Sequence, residues 1–232
     1  MARNTKRFKH IRTLFDKRKL YNLDEALDIL NASPPTNFDQ SVEVALRLGV
    51  DPKKSDQQVR GTVLLPHGTG KKVVVVVLAK EDKAEEAKKA GADDAGDRVL
   101  IDKIQGGWVD FDALVATPDM MKEVGKLGKI LGPRGLMPTP KAGTVTHEVS
   151  RAVQEIKKGK IEFKVDKNGI INNFVGKLSF TSKQIAENMH ALIQSLVTSK
   201  PSSSKGQYLS CLFVSSTMGP GLKVDLNSVL IR

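Results

Sequence analysis

Two kinds of apolar pattern follow one another along this chain, and their order constrains the fold more than any single motif does. From Phe38 the period is two: Val42, Val44, Leu46 and Leu48 alternate with Ser41, Glu43, Ala45 and Arg47, the mark of a half-buried strand. After Pro66-His67-Gly68-Thr69-Gly70 the alternation stops. Val73–Ala79, VVVVVLA, is a continuous apolar run, as expected of a parallel strand covered on both faces. After Gly159 alternation returns in Lys160–Asp166, where Ile161, Phe163 and Val165 interleave with charge. A sheet with one solvated face and a sheet buried on both faces do not share one layer. The chain is therefore expected to form a domain from both termini, 1–66 with 160–232, and a second inserted at 67–159, with Pro66–Gly70 as hinge.

The local signals fill in this plan. Residues 1–20 hold eight basic residues, Arg3 among them, and one acid, Asp16; Phe8, Ile11, Leu14 and Phe15 recur at helical spacing. That helix either docks its apolar stripe on the protein or touches phosphates. Asn22 and Glu25 have the spacing of a capping box for a helix Leu23–Asn31. Val59–Leu65 reads as the return strand of a hairpin with Val42–Leu48. In the insert, Ala84–Ala90 is a charged helix, Val99–Ile101 and Ala113–Ala116 are short apolar strands, and Asp119–Leu131 and Glu148–Lys158 are helices. Strand and helix in alternation predict a parallel sheet. Past the insert, Lys167-Asn168-Gly169 predicts a tight hairpin turn into Ile170–Phe180. Ser182–Thr198 is an amphipathic helix, Tyr208–Ser215 an apolar strand, and Leu222–Leu226 a short last strand. The fold class is α/β in the broad sense, an α+β terminal domain with an antiparallel-type sheet plus an inserted α/β layer.

Charge narrows the function. The 232 residues carry a net charge of +11 and a pI near 9.7, a balance that favours a polyanion as partner. Residues 67–159 account for +2 and the two flanks for +9, so non-specific electrostatics are expected mostly in the terminal domain. One cysteine, Cys211, excludes an intramolecular disulfide and fits a reducing cytoplasm. No apolar run is long enough for a membrane helix, and the basic N-terminus has no apolar stretch behind it.

Catalytic readings find little support. His67–Lys72 lacks the full phosphate-loop spacing and precedes a strand where such a loop follows one. No G-x-G-x-x-G follows a predicted strand, and four scattered histidines with one cysteine offer no zinc spacing. Two stretches could bind RNA: Ser215–Gly221, with small residues and Met218, and Lys160–Lys177, with Lys160, Glu162, Lys164 and Asp166 facing outward. Each could equally be a solvated face. Phe38, alone in a polar segment, reads as a core plug ahead of a ligand contact.

The stretch GKLGKILGPRGLMPTPKAGTV resembles the signature of the bacterial ribosomal protein L-one family, whose members belong to the mobile stalk beside the tRNA exit site. FDQSVEVALRLGVDPKKSDQQVRGTVLLPHGTGK, DFDALVATPDMM, KIEFKVDK and STMGPG extend the resemblance nearly end to end. It implies two domains, the inserted one a Rossmann-like three-layer α/β unit, and no enzymatic activity, cofactor or metal. It further implies a monomer outside the ribosome with three RNA partners: large-subunit (23S) ribosomal RNA, exit-site tRNA during release of deacylated tRNA, and its own operon messenger RNA, which it represses. Carried over by motif, RNA contacts would fall on Phe38, Glu43, Thr217, Met218 and Gly219, with support from Lys160, Glu162, Lys164 and Lys167. The basic side chains Lys126, Lys129, Arg134 and Lys141 of the signature loop are read, on charge, as secondary contacts to RNA, tRNA or the other domain. The rivals are a nucleotide-dependent enzyme using the central layer and a general basic nucleic-acid chaperone.

Overall fold

The computed structural model describes Thr5–Leu230; Arg3 of the basic N-terminal run lies outside the described residues. The chain divides into two compact units, residues 1–70 with 162–232, and residues 71–161.

The first unit begins with α1 (Lys6–Leu14), opened by Thr5, whose hydroxyl accepts from the Phe8 N–H, and anchored by buried Ile11. In α2 (Leu23–Ala32) the spacing of Leu23, Ala26, Leu27 and Leu30 puts all four on one buried face. The expected capping box is absent: the Asn22 side chain makes no cap bond. Asp24 and Glu25 instead place negative charge at the positive end of the helix dipole. β1 (Ser41–Leu48) buries Val42, Val44, Leu46 and Leu48 as the alternation requires.

The expected hairpin of β1 with β2 (Arg60–Leu64) does not form. Successive turns at Asp51–Lys54 and Lys54–Gln57 carry the chain away, and both edges of β1 are taken by strands that arrive more than a hundred residues later.

In the inserted unit, β3 (Val75–Leu78) is buried throughout, because it lies between parallel neighbours and under helices on both faces. After α3 (Glu81–Lys89) comes β4 (Asp94–Gly96), then α4 (Arg98–Gln105) and β5 (Ala113–Ala116), giving a parallel sheet of order β4-β3-β5. The expected strand Val99–Ile101 is thus part of a helix. Leu100, Ile101 and Ile104 are buried at helical spacing, and the strand lies earlier, in a segment with little apolar signal. The single helix expected at Asp119–Leu131 is broken into α5 (Met121–Val124), α6 (Gly128–Leu131) and intervening tighter turns. Gly125 and Gly128 each weaken a regular helix by about 1 kcal/mol relative to alanine. The stretch still seats Met120, Val124, Leu127 and Leu131 in one core layer with Val76, Leu78 and Leu114. The other layer joins Val75, Val77 and Ala87 to Val149 and Val153 of α7 (Val149–Lys157). Three layers result, as a Rossmann-like unit requires. The signature loop is ordered along part of its length: Ala116 donates to the Thr144 carbonyl and Thr146 to the Ala116 carbonyl.

The chain returns through β6 (Lys160–Lys164), which pairs with β2. Glycine is needed there, since a methyl on Gly61 would fall 2.6 Å from the Phe163 ring across the pair. The Asp166–Gly169 turn forms, with Gly169 at φ 76° and the Asp166 carboxylate accepting from Asn168 and Ile170. It does not close a hairpin: β7 (Ile170–Lys177) leaves β6 and pairs with β1. α8 (Ser182–Thr198) starts with a complete Thr181–Gln184 capping box and buries Ile185, Met189, Leu192, Ile193 and Leu196. β8 (Leu209–Ser216) and β9 (Leu222–Val224) complete an antiparallel sheet of order β7-β1-β8-β9, and α9 (Asn227–Leu230) follows.

The observed division falls at Gly70/Lys71 and Ile161/Glu162 rather than at 66/67 and 159/160. Buried Asn188 of α8 accounts for the first shift: it accepts from the His67 N–H and donates to the Gly68 and Val175 carbonyls, tying 67–68 to the terminal unit. At the second junction, the Lys160 ammonium is held by Glu155 of α7.

Candidate nucleic-acid interface

The four-stranded sheet packs α2 and α8 against one face only. Val42, Val44, Leu46, Ile171, Val175, Leu212, Val214, Leu222 and Val224 point to those helices. Its other face carries the residues of opposite phase and is uncovered.

At one end of this sheet the chain forms a clasp. Thr217 donates its N–H to the Ser41 carbonyl at 3.0 Å, and its hydroxyl accepts from the Ser41 N–H at 3.0 Å. Buried Gln40 accepts from the Met218 N–H through Oε1 at 3.0 Å, while its carbonyl accepts from Leu178. Lys177 donates to the Asp39 carbonyl and the Ser41 hydroxyl, and Ser179 caps the Asp39 carboxylate. The backbones of 39–41, 177–179 and 217–218 are thus fixed relative to one another. Two large apolar side chains stand out from this frame: Phe38 is 53% exposed and Met218 is 54% exposed. Phe38 is therefore not the core plug its isolation in a polar segment predicts. It borders an open cavity of about 560 Å³ with Asn37, Asp39, Leu178 and Ser179.

Gly219 has an inward reason to be glycine. A methyl there would lie 2.1 Å from the Ser216 Oγ and 3.4 Å from Leu30, and that Oγ is buried without a hydrogen-bond partner.

Glu43 is exposed on β1, opposite Phe174 on one side and Ser215 on the other, and makes no ion pair among the described residues. The structure thus brings Phe38, Glu43, Thr217, Met218 and Gly219 to one end of one sheet. The β6 group is more scattered. Lys160 is paired with Glu155 in the inserted unit, and the Glu155 carboxyl is held below its usual range by Lys160 and Arg151. Glu162 is paired with Arg60 of β2. Lys164 on β6 and Lys167 in the Asp166–Gly169 turn are exposed. Of the secondary group, Lys126, Lys129, Arg134 and Lys141 are all exposed in the inserted unit.

Divided at the observed boundaries, the terminal unit carries 20 basic and 12 acidic residues, a net of +8, and the inserted unit 17 and 14, a net of +3. Among the described residues no three His, Cys, Asp or Glu side chains are grouped to hold a metal ion, and no helix is long and apolar enough to cross a membrane.

Sequence reasoning missed Phe174, Phe213, Arg47 and Lys223 on the open face. Phe213 sits between buried Leu212 and Val214, so an unbroken apolar run concealed its outward phase.

Comparison with known proteins gives a consistent result. Residues 30–220 match the model of the Ribosomal protein L1p/L10e family. The chain is 60% identical over 226 residues to the large ribosomal subunit protein uL1 of Protochlamydia amoebophila, covering 97% of this chain and 96% of that protein. It is 57% identical over 230 residues to the protein of the same name from Chlamydia trachomatis serovar L2b, and 55% to that from Chlamydia pneumoniae, with 99% of each chain covered.

Proposed function

This chain belongs to the Ribosomal protein L1p/L10e family, and from that membership we propose that its terminal unit binds the stalk region of large-subunit ribosomal RNA. It is a structural protein of the large subunit of the cytoplasmic ribosome and not an enzyme. The observation that carries the RNA reading is the pair of exposed apolar side chains, Phe38 and Met218, on a backbone frame locked by Thr217, Ser41 and Gln40.

An exposed ring and an exposed thioether on a rigid frame lose little conformational entropy when a base or ribose packs against them. Glu43 works differently. A carboxylate repels phosphates but accepts from base amino groups and 2′-hydroxyls, so it selects an orientation of the RNA more than it adds affinity. Exposed cations of the +8 unit, Lys164 and Lys167 among them, supply the sequence-independent attraction to phosphate. We assign to the same surface the messenger RNA of the protein's own operon, bound as a mimic of the ribosomal element and thereby repressed. The exposed Lys126, Lys129, Arg134 and Lys141 of the inserted unit suit phosphate contacts with exit-site tRNA as it is released. Outside the ribosome the protein acts as a monomer.

Affinity for a stalk-element transcript, measured as a function of salt, tests the reading. Met218→Ala is expected to weaken binding by about 1–2 kcal/mol through lost apolar burial, with the salt slope unchanged. Lys164→Ala is expected to lower the magnitude of that slope by roughly 0.7–0.9 if its ammonium meets a phosphate. Wild-type affinity in the Met218 variant would place the site elsewhere.

A further inference from the structure

The open face does not end at the clasp. From Thr217, strand β8 continues outward through Ser215 to Phe213, since alternate residues share a face. Phe213 is 41% exposed, with Ala45 opposite on β1 and Lys223 opposite on β9. Phe174 of β7, 38% exposed, lies opposite Glu43, one row nearer the clasp. Asn172 is exposed on β7 opposite Ala45, and Arg47 is exposed one row beyond. Two aromatic rings therefore stand on a sheet floor of Ala45 and Ser215, with the exposed Glu43 carboxylate beside Phe174, where it can accept from a base amino group. At their rim are two cations, Arg47 and Lys223, that make no ion pair among the described residues.

We propose that this face is a stacking platform for unpaired bases of the bound RNA, with Phe174 and Phe213 each taking one base and Arg47 and Lys223 holding the adjoining phosphates. The proposal rests on the RNA reading above and extends its site beyond the residues carried over from the family. Three features select nucleic acid over a protein or a second copy. The face is continuous along β1 and β8 with the Thr217–Met218 end. Its unpaired cations complement phosphate. Its aromatic rings are isolated from one another, whereas an apolar protein interface would present a contiguous patch. Strand spacing puts the two rings about 12 Å apart. Stacked bases rise only about 3.4 Å, so the rings take bases splayed out of a helix, the form in which single-stranded RNA is recognised on open sheets. Asn172, on β7 one row from Phe174 and in the row of Phe213, presents both a donor and an acceptor to a base edge at the side of the platform.

The test uses the full-length protein, Phe174→Ala and Phe213→Ala, and two transcripts: the stalk element itself and a version whose unpaired nucleotides have been given complements. Each substitution is expected to weaken binding to the natural transcript roughly 5- to 150-fold, the loss reported for one base–aromatic stack, with the salt slope unchanged. The paired transcript should bind all three proteins equally. Phe213→Trp should bind the natural transcript like wild type, which separates stacking from a general effect on the sheet. Wild-type affinity in both alanine variants, with Met218→Ala still impaired, overturns the platform and leaves the RNA reading standing. Equal losses on both transcripts overturn stacking. A wild-type dimer in sedimentation that Phe213→Ala dissociates assigns the face to a second copy and also overturns it. Failure of the wild-type protein to prefer the stalk transcript removes the RNA reading itself, and the platform with it.

Discussion

Consider the substitution Gly219→Ala. The alanine Cβ would stand 2.1 Å from the Ser216 Oγ, about 1 Å inside any tolerable contact, while its next neighbours, Ser216 Cβ at 3.3 Å and Leu30 Cδ2 at 3.4 Å, need only a small adjustment. Gly219 is not among the glycines with positive φ, so the backbone accepts an L-residue and the whole cost is the collision. Overpacking of this kind costs about 1–3 kcal/mol. Ser216→Ala removes the obstructing oxygen, which is buried and bonded to nothing, so on its own it should be neutral or slightly stabilising. In the double variant the collision is gone, and replacing a glycine by alanine at a compatible position adds about 0.4–1 kcal/mol through the unfolded chain. The double-mutant cycle is therefore expected to show a favourable coupling of about 1–3 kcal/mol, with the double variant at or above wild-type stability, read from urea midpoints at constant m-value. Because the added methyl points at Ser216 and Leu30 and away from solvent, the double variant should also bind the stalk transcript like wild type. A Gly219→Ala single variant of wild-type stability would refute the packing argument. A stable double variant that no longer binds would show that glycine is kept for the RNA instead.

Two further outcomes follow from buried polar groups and from charge. Asn188→Ala leaves the His67 N–H and the Gly68 and Val175 carbonyls without their buried partner, so it should cost about 3 kcal/mol or more; hydrogen exchange would locate the effect, and a His67 amide as protected as in wild type would sink the argument. The Asp93 carboxyl lies below its ordinary value of 3.8, chiefly through the Val75 N–H, against partial burial and with Lys157 assisting. A carboxyl depressed in the folded state stabilises it above the unfolded value and loses that contribution as pH falls through the folded one. The stability difference between wild type and Asp93→Asn should thus be full near neutrality and shrink below about pH 4, and a difference constant across that range would contradict it.

How much of this was legible depends on what each signal encodes. Alternation in Val42–Leu48 specified which side chains are buried, because burial is written in the strand's own residues. Pairing is not: whether β1 meets β2 or β7 depends on which edges are free, and the sequence has no local mark for that. Thus the Asp166–Gly169 turn was legible while the hairpin it usually closes was not. Val99–Ile101 is a three-residue apolar run, too short to separate period two from period 3.6, and helix α4 won through Ile104. At the candidate interface, Met218 stands out within the small residues of Ser215–Gly221, while Phe38, read from its own segment as a core plug, becomes an RNA contact only through the motif resemblance. The orphan hydroxyl of Ser216 beneath Gly219 and the outward turn of Phe213 needed coordinates, since both depend on contacts between distant segments.

The order of strands β7-β1-β8-β9 also sets a timetable. Ser41 and its clasp partner Thr217 are 176 positions apart, and both neighbours of β1 are made after the inserted unit. At a synthesis rate of roughly 5–20 residues per second, β1 waits about 9–35 s for its sheet, while residues 71–161 form a contiguous unit that can fold in the meantime. The apolar face of β1 must be shielded throughout that interval. A chain broken off between β1 and Thr217 carries the basic residues of its N-terminal segment yet has no clasp, so the Ser41–Thr217 bonds report that β8 has been made.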